Sequence, residues 1–127
     1  MTLARAPLLS LVLLGMVACH HRPPPDSRAG PPRGEIAIRV INRSVSDVVI
    51  EMVDGGVPSR LGTAYGGATD VFFVPWERVQ SSGSLRLLGD PVGSTQAIVT
   101  DRLSVRPGSM VVWTIEPVLT QSSAAVY

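Results

Sequence analysis

From Glu35 to the C-terminus, apolar residues recur at every second position in short runs, and each run ends at turn residues. The clearest run has Val111, Trp113 and Ile115 on one face of an extended segment. The chain also holds twelve glycines and eleven prolines, which long helices do not tolerate in their interiors. The pattern therefore predicts an all-β domain and excludes a helical bundle.

The runs predict seven strands at spacings near ten residues. We expect residues 89–94, beginning with Gly89, to break the fifth strand, which contains Leu85 and Leu87. A single helical turn fits residues 76–83, and residues 118–127 either add an edge strand or fray. The other predicted strands cover residues 36–41, 48–53, 60–64, 69–74, 96–105 and 110–116.

The predicted turns are typical of hairpins. Asp54-Gly55-Gly56 and Pro107-Gly108 both place glycine where a tight turn needs a positive φ. In the sixth strand, one face is expected to carry Ala97, Val99, Leu103 and Val105, and the other face Thr100 and Arg102. Because no helix is long enough to cross between parallel strands, we expect a seven-stranded antiparallel β-sandwich of immunoglobulin-like or transthyretin-like type.

Residues 1–18 have the outline of a secretory signal peptide, with one charge at Arg5 and an apolar stretch over residues 8–18. That stretch is shorter than the roughly 18 residues that a membrane-spanning helix needs. It ends in Met16-Val17-Ala18-Cys19, which resembles the lipobox of bacterial lipoproteins, with methionine in place of the usual leucine. The resemblance implies cleavage before Cys19, acylation of its thiol and attachment to membrane lipid. His20, where aspartate signals inner-membrane retention in that family, favours the outer membrane.

Residues 19–34 are expected to form a linker that follows the acylated cysteine. The stretch contains five prolines and no aliphatic side chain larger than alanine, so it cannot contribute to a core. Its composition is typical of a semi-rigid polyproline II stalk. The chain is thus divided into a signal peptide (1–18), a linker (19–34) and a β-sandwich domain (35–127).

The residue types argue against most chemistry in this domain. Eleven arginines against ten acids give a net charge of +1, far from the basic excess of nucleic-acid-binding proteins. The chain has no lysine, and its two histidines, His20 and His21, lie in the linker, where they supply too few fixed donors for a metal. A lone cysteine cannot form an intramolecular disulfide. We therefore expect no catalytic residue, no metal and no cofactor.

A small envelope hydrolase is the least favoured alternative, because it would require two carboxylates converging in a cleft. The candidate acids, by residue type alone, are Asp54, Asp70, Glu77, Asp90 and Asp101. No two of them have a diagnostic spacing.

Two aromatic residues are candidates for ligand contact, Tyr65 and Trp76, because large aromatic side chains stack on sugars or anchor protein partners. For Trp76, a place in the core or at the end of a sheet is favoured over ligand contact. Trp113 alternates with aliphatic residues and is expected in the core. Loops within residues 60–67 and 89–94 are the expected binding elements.

The lipobox, the proline-rich linker and the turn segments resemble small β-sandwich lipoproteins of high-GC bacteria, a group that implies no particular reaction. The segments are Arg60-Leu61-Gly62-Thr63, Asp90-Pro91-Val92-Gly93-Ser94 and Val105-Arg106-Pro107-Gly108. We expect a lipid-anchored, non-enzymatic interaction or accessory module of a cell-envelope assembly, with an envelope protein as partner. The alternative is a carbohydrate-binding module for envelope glycan, which needs an exposed Tyr65 or Trp76 with polar neighbours. The oligomeric state is left open.

Overall fold

A computed structural model of the chain describes Pro31 and residues 34–127. The predicted signal peptide, Cys19 and most of the predicted linker lie outside these residues. The described part is all-β, as expected, and contains no helix long and apolar enough to cross a membrane. Its elements are β1 (Glu35–Asn42), β2 (Val48–Asp54), β3 (Val57–Ala64), β4 (Thr69–Pro75), a 3₁₀ turn (Trp76–Arg78), β5 (Ser84–Pro91), β6 (Ile98–Val99), β7 (Leu103–Ser104), β8 (Met110–Ile115), a second 3₁₀ turn (Leu119–Gln121) and β9 (Ser123–Val126).

The strands form two sheets arranged as a sandwich. The first sheet has the order β4-β1-β8-β9, and the second has the order β3-β2-β5-β6, with β7 also paired to β5. The period of two seen in the sequence places one face of each main strand in the core. The fully buried core side chains include Ile36, Ile38, Val40, Val48, Ile50, Met52, Val74, Leu87, Val111 and Ile115, with Trp113 nearly so.

The strand count is nine, which corrects the predicted seven. One added strand is β9, so the C-terminal segment forms an edge strand beside β8 rather than fraying. The other comes from the predicted sixth strand, which is divided into the two-residue strands β6 and β7.

Thr100 causes this division. Its N–H donates to the Leu87 carbonyl over 2.9 Å, and its Oγ1 accepts from the Leu87 N–H over 3.0 Å. The hydroxyl oxygen of Thr100 thus takes the place of a backbone carbonyl in the ladder with β5. The alternation between buried and exposed side chains therefore changes phase at this residue. Leu103 is buried and Val99 is half exposed, so the prediction that these residues share one face is wrong.

The prediction that the fifth strand breaks at Gly89 is wrong. β5 continues through it to Pro91, with Gly89 paired to Ile50 of β2. Gly89 is buried and faces Trp113, so the absent side chain serves close packing rather than a turn.

One ladder departs from the predicted antiparallel arrangement. β1 and β8 pair in parallel, from Ala37 opposite Met110 to Asn42 opposite Ile115, and every other ladder among the described strands is antiparallel. The long segment between β1 and β8 supplies the crossover that parallel pairing requires. β1 consequently lies in the middle of its sheet, between β4 and β8.

The two ends of the sandwich differ in their connections. The proximal end holds Gly34, which directly precedes β1, and the Gly55-Gly56 hairpin turn, whose φ values of 55° and 87° confirm the predicted positive-φ turn. The length of the eight-residue β1 separates the proximal end from the distal end by about 25 Å. The distal end consists of the loops at 43–47, 65–68, 92–97 and 116–122.

Candidate functional site

The distal loops rest on Asn42, the last residue of β1, whose side chain is only 1% exposed. Its Nδ2 donates to the Ser46 carbonyl over 2.8 Å and to the Ala64 carbonyl over 3.1 Å. Its Oδ1 accepts from the Ser44 N–H over 3.0 Å and from the Ser44 hydroxyl over 2.7 Å. One buried amide therefore fixes the 43–47 loop and joins it to the end of β3.

Asp47 joins three distal loops. Its Oδ1 accepts from the Gly66 N–H over 2.9 Å, and its backbone carbonyl accepts from the Val92 N–H over 2.8 Å. Gly66 also packs closely on the first loop, because a Cβ at this position would lie 2.5 Å from the Val45 carbonyl oxygen. The 43–47, 65–68 and 92–97 loops thus form a connected frame.

This frame exposes three large apolar side chains, one from each loop. Val45 is 99% exposed, Val92 63% and Tyr65 58%. We call these three residues the distal apolar cluster. Single exposed apolar residues are common on protein surfaces, but these three lie at one end on hydrogen-bonded loops, and loops held on a rigid scaffold often carry binding residues.

Most of the charged groups near this end have partners within the domain. Arg43 Nη1 lies 3.0 Å from Glu116 Oε1 in an exposed ion pair. The Asp70 carboxylate accepts from the Tyr65 N–H over 3.0 Å, much as Asp47 accepts from Gly66. These carboxylates hold backbone N–H groups of the 65–68 loop, which leaves apolar contact as the main chemistry of the cluster.

The two predicted ligand-contact residues lie far apart. Tyr65 follows β3 at the distal end and is exposed, whereas Trp76 follows β4 at the proximal end. Trp76 is partly buried and packs against the core. The two rings therefore do not form one stacking platform. Cys19, the predicted acylation site, lies outside the described residues.

The candidate carboxylates are spread over the domain. Asp54 and Glu77 lie at the proximal end, Asp70 and Asp90 lie in different sheets, and Asp101 lies between β6 and β7. Within the described residues, no group of three or more histidine, cysteine, aspartate or glutamate side chains could hold a metal ion.

A groove of about 420 Å³ opens between the β6–β7 edge of the second sheet and the β9 edge of the first. Trp113, Leu119 and Ile98 contribute apolar walls, and Asp101 is its one charged lining residue. In the described part of the chain, no buried side-chain polar atom lacks a hydrogen-bond partner. The distal end, which carries large exposed apolar side chains on hydrogen-bonded loops, is the stronger candidate site.

Neither Val45 nor Val92 is among the predicted site residues, although Val92 lies within the predicted 89–94 binding loop. Both are valines within turns whose neighbours are serine, proline or glycine. An apolar residue in a turn that is otherwise built from turn-forming residues was the available signal.

Comparison of the chain with protein-family models and with curated proteins found no significant match.

Proposed function

We propose that this protein is a lipid-anchored cell-envelope protein that acts as a non-enzymatic interaction or accessory module. In this proposal, acylated Cys19 attaches the chain to a membrane, with the outer membrane favoured, and residues 20–34 form the stalk. The distal apolar cluster of Val45, Tyr65 and Val92 contacts an envelope protein. The exposure of these three side chains on a hydrogen-bonded frame is the observation that carries the proposal.

The position of the cluster supports this role. The chain enters the described domain at the proximal end, near Gly34, and the cluster lies at the opposite end. An extended stalk of fifteen residues would reach about 45 Å. A partner across the periplasm or above the membrane surface would then meet the distal loops first.

The chemistry of the cluster fits a protein surface with an apolar pocket. Two valines offer aliphatic contact, and Tyr65 adds a large ring with a hydroxyl that can hydrogen-bond at the rim. Tyrosine is enriched among the few interface residues whose truncation costs at least about 2 kcal/mol, which corresponds to a roughly 30-fold change in affinity. The loops are fixed by Asn42 and Asp47, so binding requires little further ordering.

We also propose that the sandwich is of the transthyretin-like rather than the immunoglobulin-like type. In the constant-type immunoglobulin arrangement, the first, second, fourth and fifth strands share one sheet. Here β1 and β4 belong to one sheet, while β2 and β5 belong to the other.

Site-specific photo-crosslinking in the producing cells tests the interaction. A benzophenone amino acid at Tyr65 should capture an envelope protein, whereas the same probe at Val57, which is 69% exposed at the proximal end, should not. Gly66→Ala should reduce capture from position 65, because the added methyl group displaces the Val45 backbone. Equal capture from positions 57 and 65 would contradict the proposal, and a glycan adduct at 65 would favour the carbohydrate-binding alternative.

The anchor needs a separate test. Labelled palmitate should be incorporated into the wild-type chain and not into Cys19→Ala, and the variant should leave the membrane fraction. An unlabelled wild-type chain would contradict the lipid anchor.

A further inference from the structure

Among the described strands, the sheet edges differ in how they are protected against pairing with another strand. β3 carries Pro58, which lacks an N–H, and Arg60, and its ladder with β2 has a bulge. β9 has four residues, and β6 and β7 have two each. Proline, charge, bulges and shortness are the usual devices that protect edges.

β4 has almost none of these devices. It is seven residues long, Thr69–Pro75, and its proline is the last residue. Its one charged residue, Asp70, is engaged with the Tyr65 N–H. The strand has high β propensity, and Phe73 is 38% exposed on its outward side.

The hydrogen-bond phase of the β1–β4 ladder shows which backbone groups face outward. The Asn42 N–H donates to the Ala68 carbonyl, and the Trp76 N–H donates to the Gly34 carbonyl, so even-numbered residues of β4 bond to β1. In an antiparallel pair the bonded positions alternate. The N–H and C=O groups of Thr69, Val71 and Phe73 therefore point away from β1, and no other described strand pairs with β4.

We propose that β4 pairs antiparallel with β4 of a second copy of this chain and joins the two first sheets into one eight-stranded sheet. The register places Val71 opposite Phe73 of the second copy, with the twofold axis at Phe72. The outward groups of Val71 and Phe73 then bond in both directions, and the Thr69 N–H meets the Pro75 carbonyl.

Self-complementarity makes a second copy the favoured occupant. In this register Asp70 lies opposite Val74, so no like charges face each other across the axis. Val71 against Phe73 is an aliphatic–aromatic pair of the kind that stabilises sheets. The chain's own residues 19–33 are a poor occupant, because their five prolines cannot donate to the ladder. One strand pair is a small interface, so the dimer is weak in dilute solution. A high local concentration of the chains favours it.

Disulfide trapping tests the register. Two full-length variants, Val71→Cys and Phe73→Cys, both carry Cys19→Ser, so the introduced thiols are the only ones and the outcome does not depend on the anchor. Paired positions in such a ladder place their Cα atoms about 5.5 Å apart, within disulfide range. A mixture of the two variants should form a disulfide dimer that neither variant forms alone. No mixed dimer, or equal dimer from each variant alone, overturns the proposed register.

Light scattering of the purified full-length chain at increasing concentration provides the second measurement. Val71→Lys should weaken self-association at least about tenfold, because two cations then lie near the axis of an edge pair. Val57→Lys, on the edge of β3, is the matched control and should leave association unchanged. Thermal unfolding of both variants checks that the fold is intact. A wild-type chain that stays monomeric, or equal weakening by both variants, overturns the proposal.

Discussion

Gly89 of β5 lies directly against the indole ring of Trp113 in β8. A Cβ at position 89 would be 2.9 Å from Trp113 Cη2, and 3.1 Å from both Ile98 Cγ1 and Val48 Cγ1. The two strands belong to different sheets, so this contact sets how closely the sheets approach at the centre of the sandwich. The indole occupies the space that any other residue at 89 would fill.

Gly89→Ala should therefore lower the free energy of unfolding by about 1–3 kcal/mol, as expected for an added methyl group in a well-packed core. Gly89 does not have a positive φ, so the loss comes from packing rather than from backbone strain. Urea denaturation followed by tryptophan fluorescence measures it. Asp90→Ala, at the next and exposed position, is the control, and equal midpoints for the two variants would show that Trp113 moves aside without cost.

Thr100→Val should lower the free energy of unfolding by about 1–2 kcal/mol, because it leaves the buried Leu87 N–H without its 3.0 Å acceptor. Thr100→Ser keeps the hydroxyl and should retain most of the stability. Amide hydrogen exchange at Leu87 provides a local measurement, with faster exchange in the valine variant. A valine variant with wild-type stability and unchanged exchange at Leu87 would show that this hydrogen bond contributes little.

Asn42→Asp should lower the free energy of unfolding by about 2–3 kcal/mol. The substitution keeps the size and the acceptor oxygen but removes the amide donors to the Ser46 and Ala64 carbonyls, and it brings a carboxylate toward both oxygens. Arg43→Gln is the adjacent control, since its exposed ion pair with Glu116 is worth less than about 1 kcal/mol. Chemical denaturation compares the two variants, and similar stabilities would refute the structural role of Asn42.

The sequence predicted those parts of the fold that have a local cause. Burial of one face dictates the alternation around Trp113 in β8, and the Gly55-Gly56 turn follows from the φ values that a two-residue hairpin needs. Gly89 could not be interpreted locally, because glycine serves both turns and close approaches, and only the position of Trp113 distinguishes them. The parallel pairing of β1 with β8 joins distant parts of the chain, so no short window carries its signal.

The candidate site was predictable only in part. Tyr65 is a candidate by residue type and loop position, and the structure shows that it is exposed at the distal end. Its grouping with Val45 and Val92 depends on hydrogen bonds from Asn42 and Asp47 that link loops distant in sequence. Such links are set by tertiary geometry and leave no periodic pattern.

The chain enters the domain through β1, which is held on both sides, by β4 and by β8. Tension applied at Gly34 while the distal loops are held runs along this strand, so it loads both ladders in shear and their hydrogen bonds resist together. A first strand at a sheet edge has only one ladder to hold it. Its central position gives the domain mechanical strength along the axis on which a tether would pull.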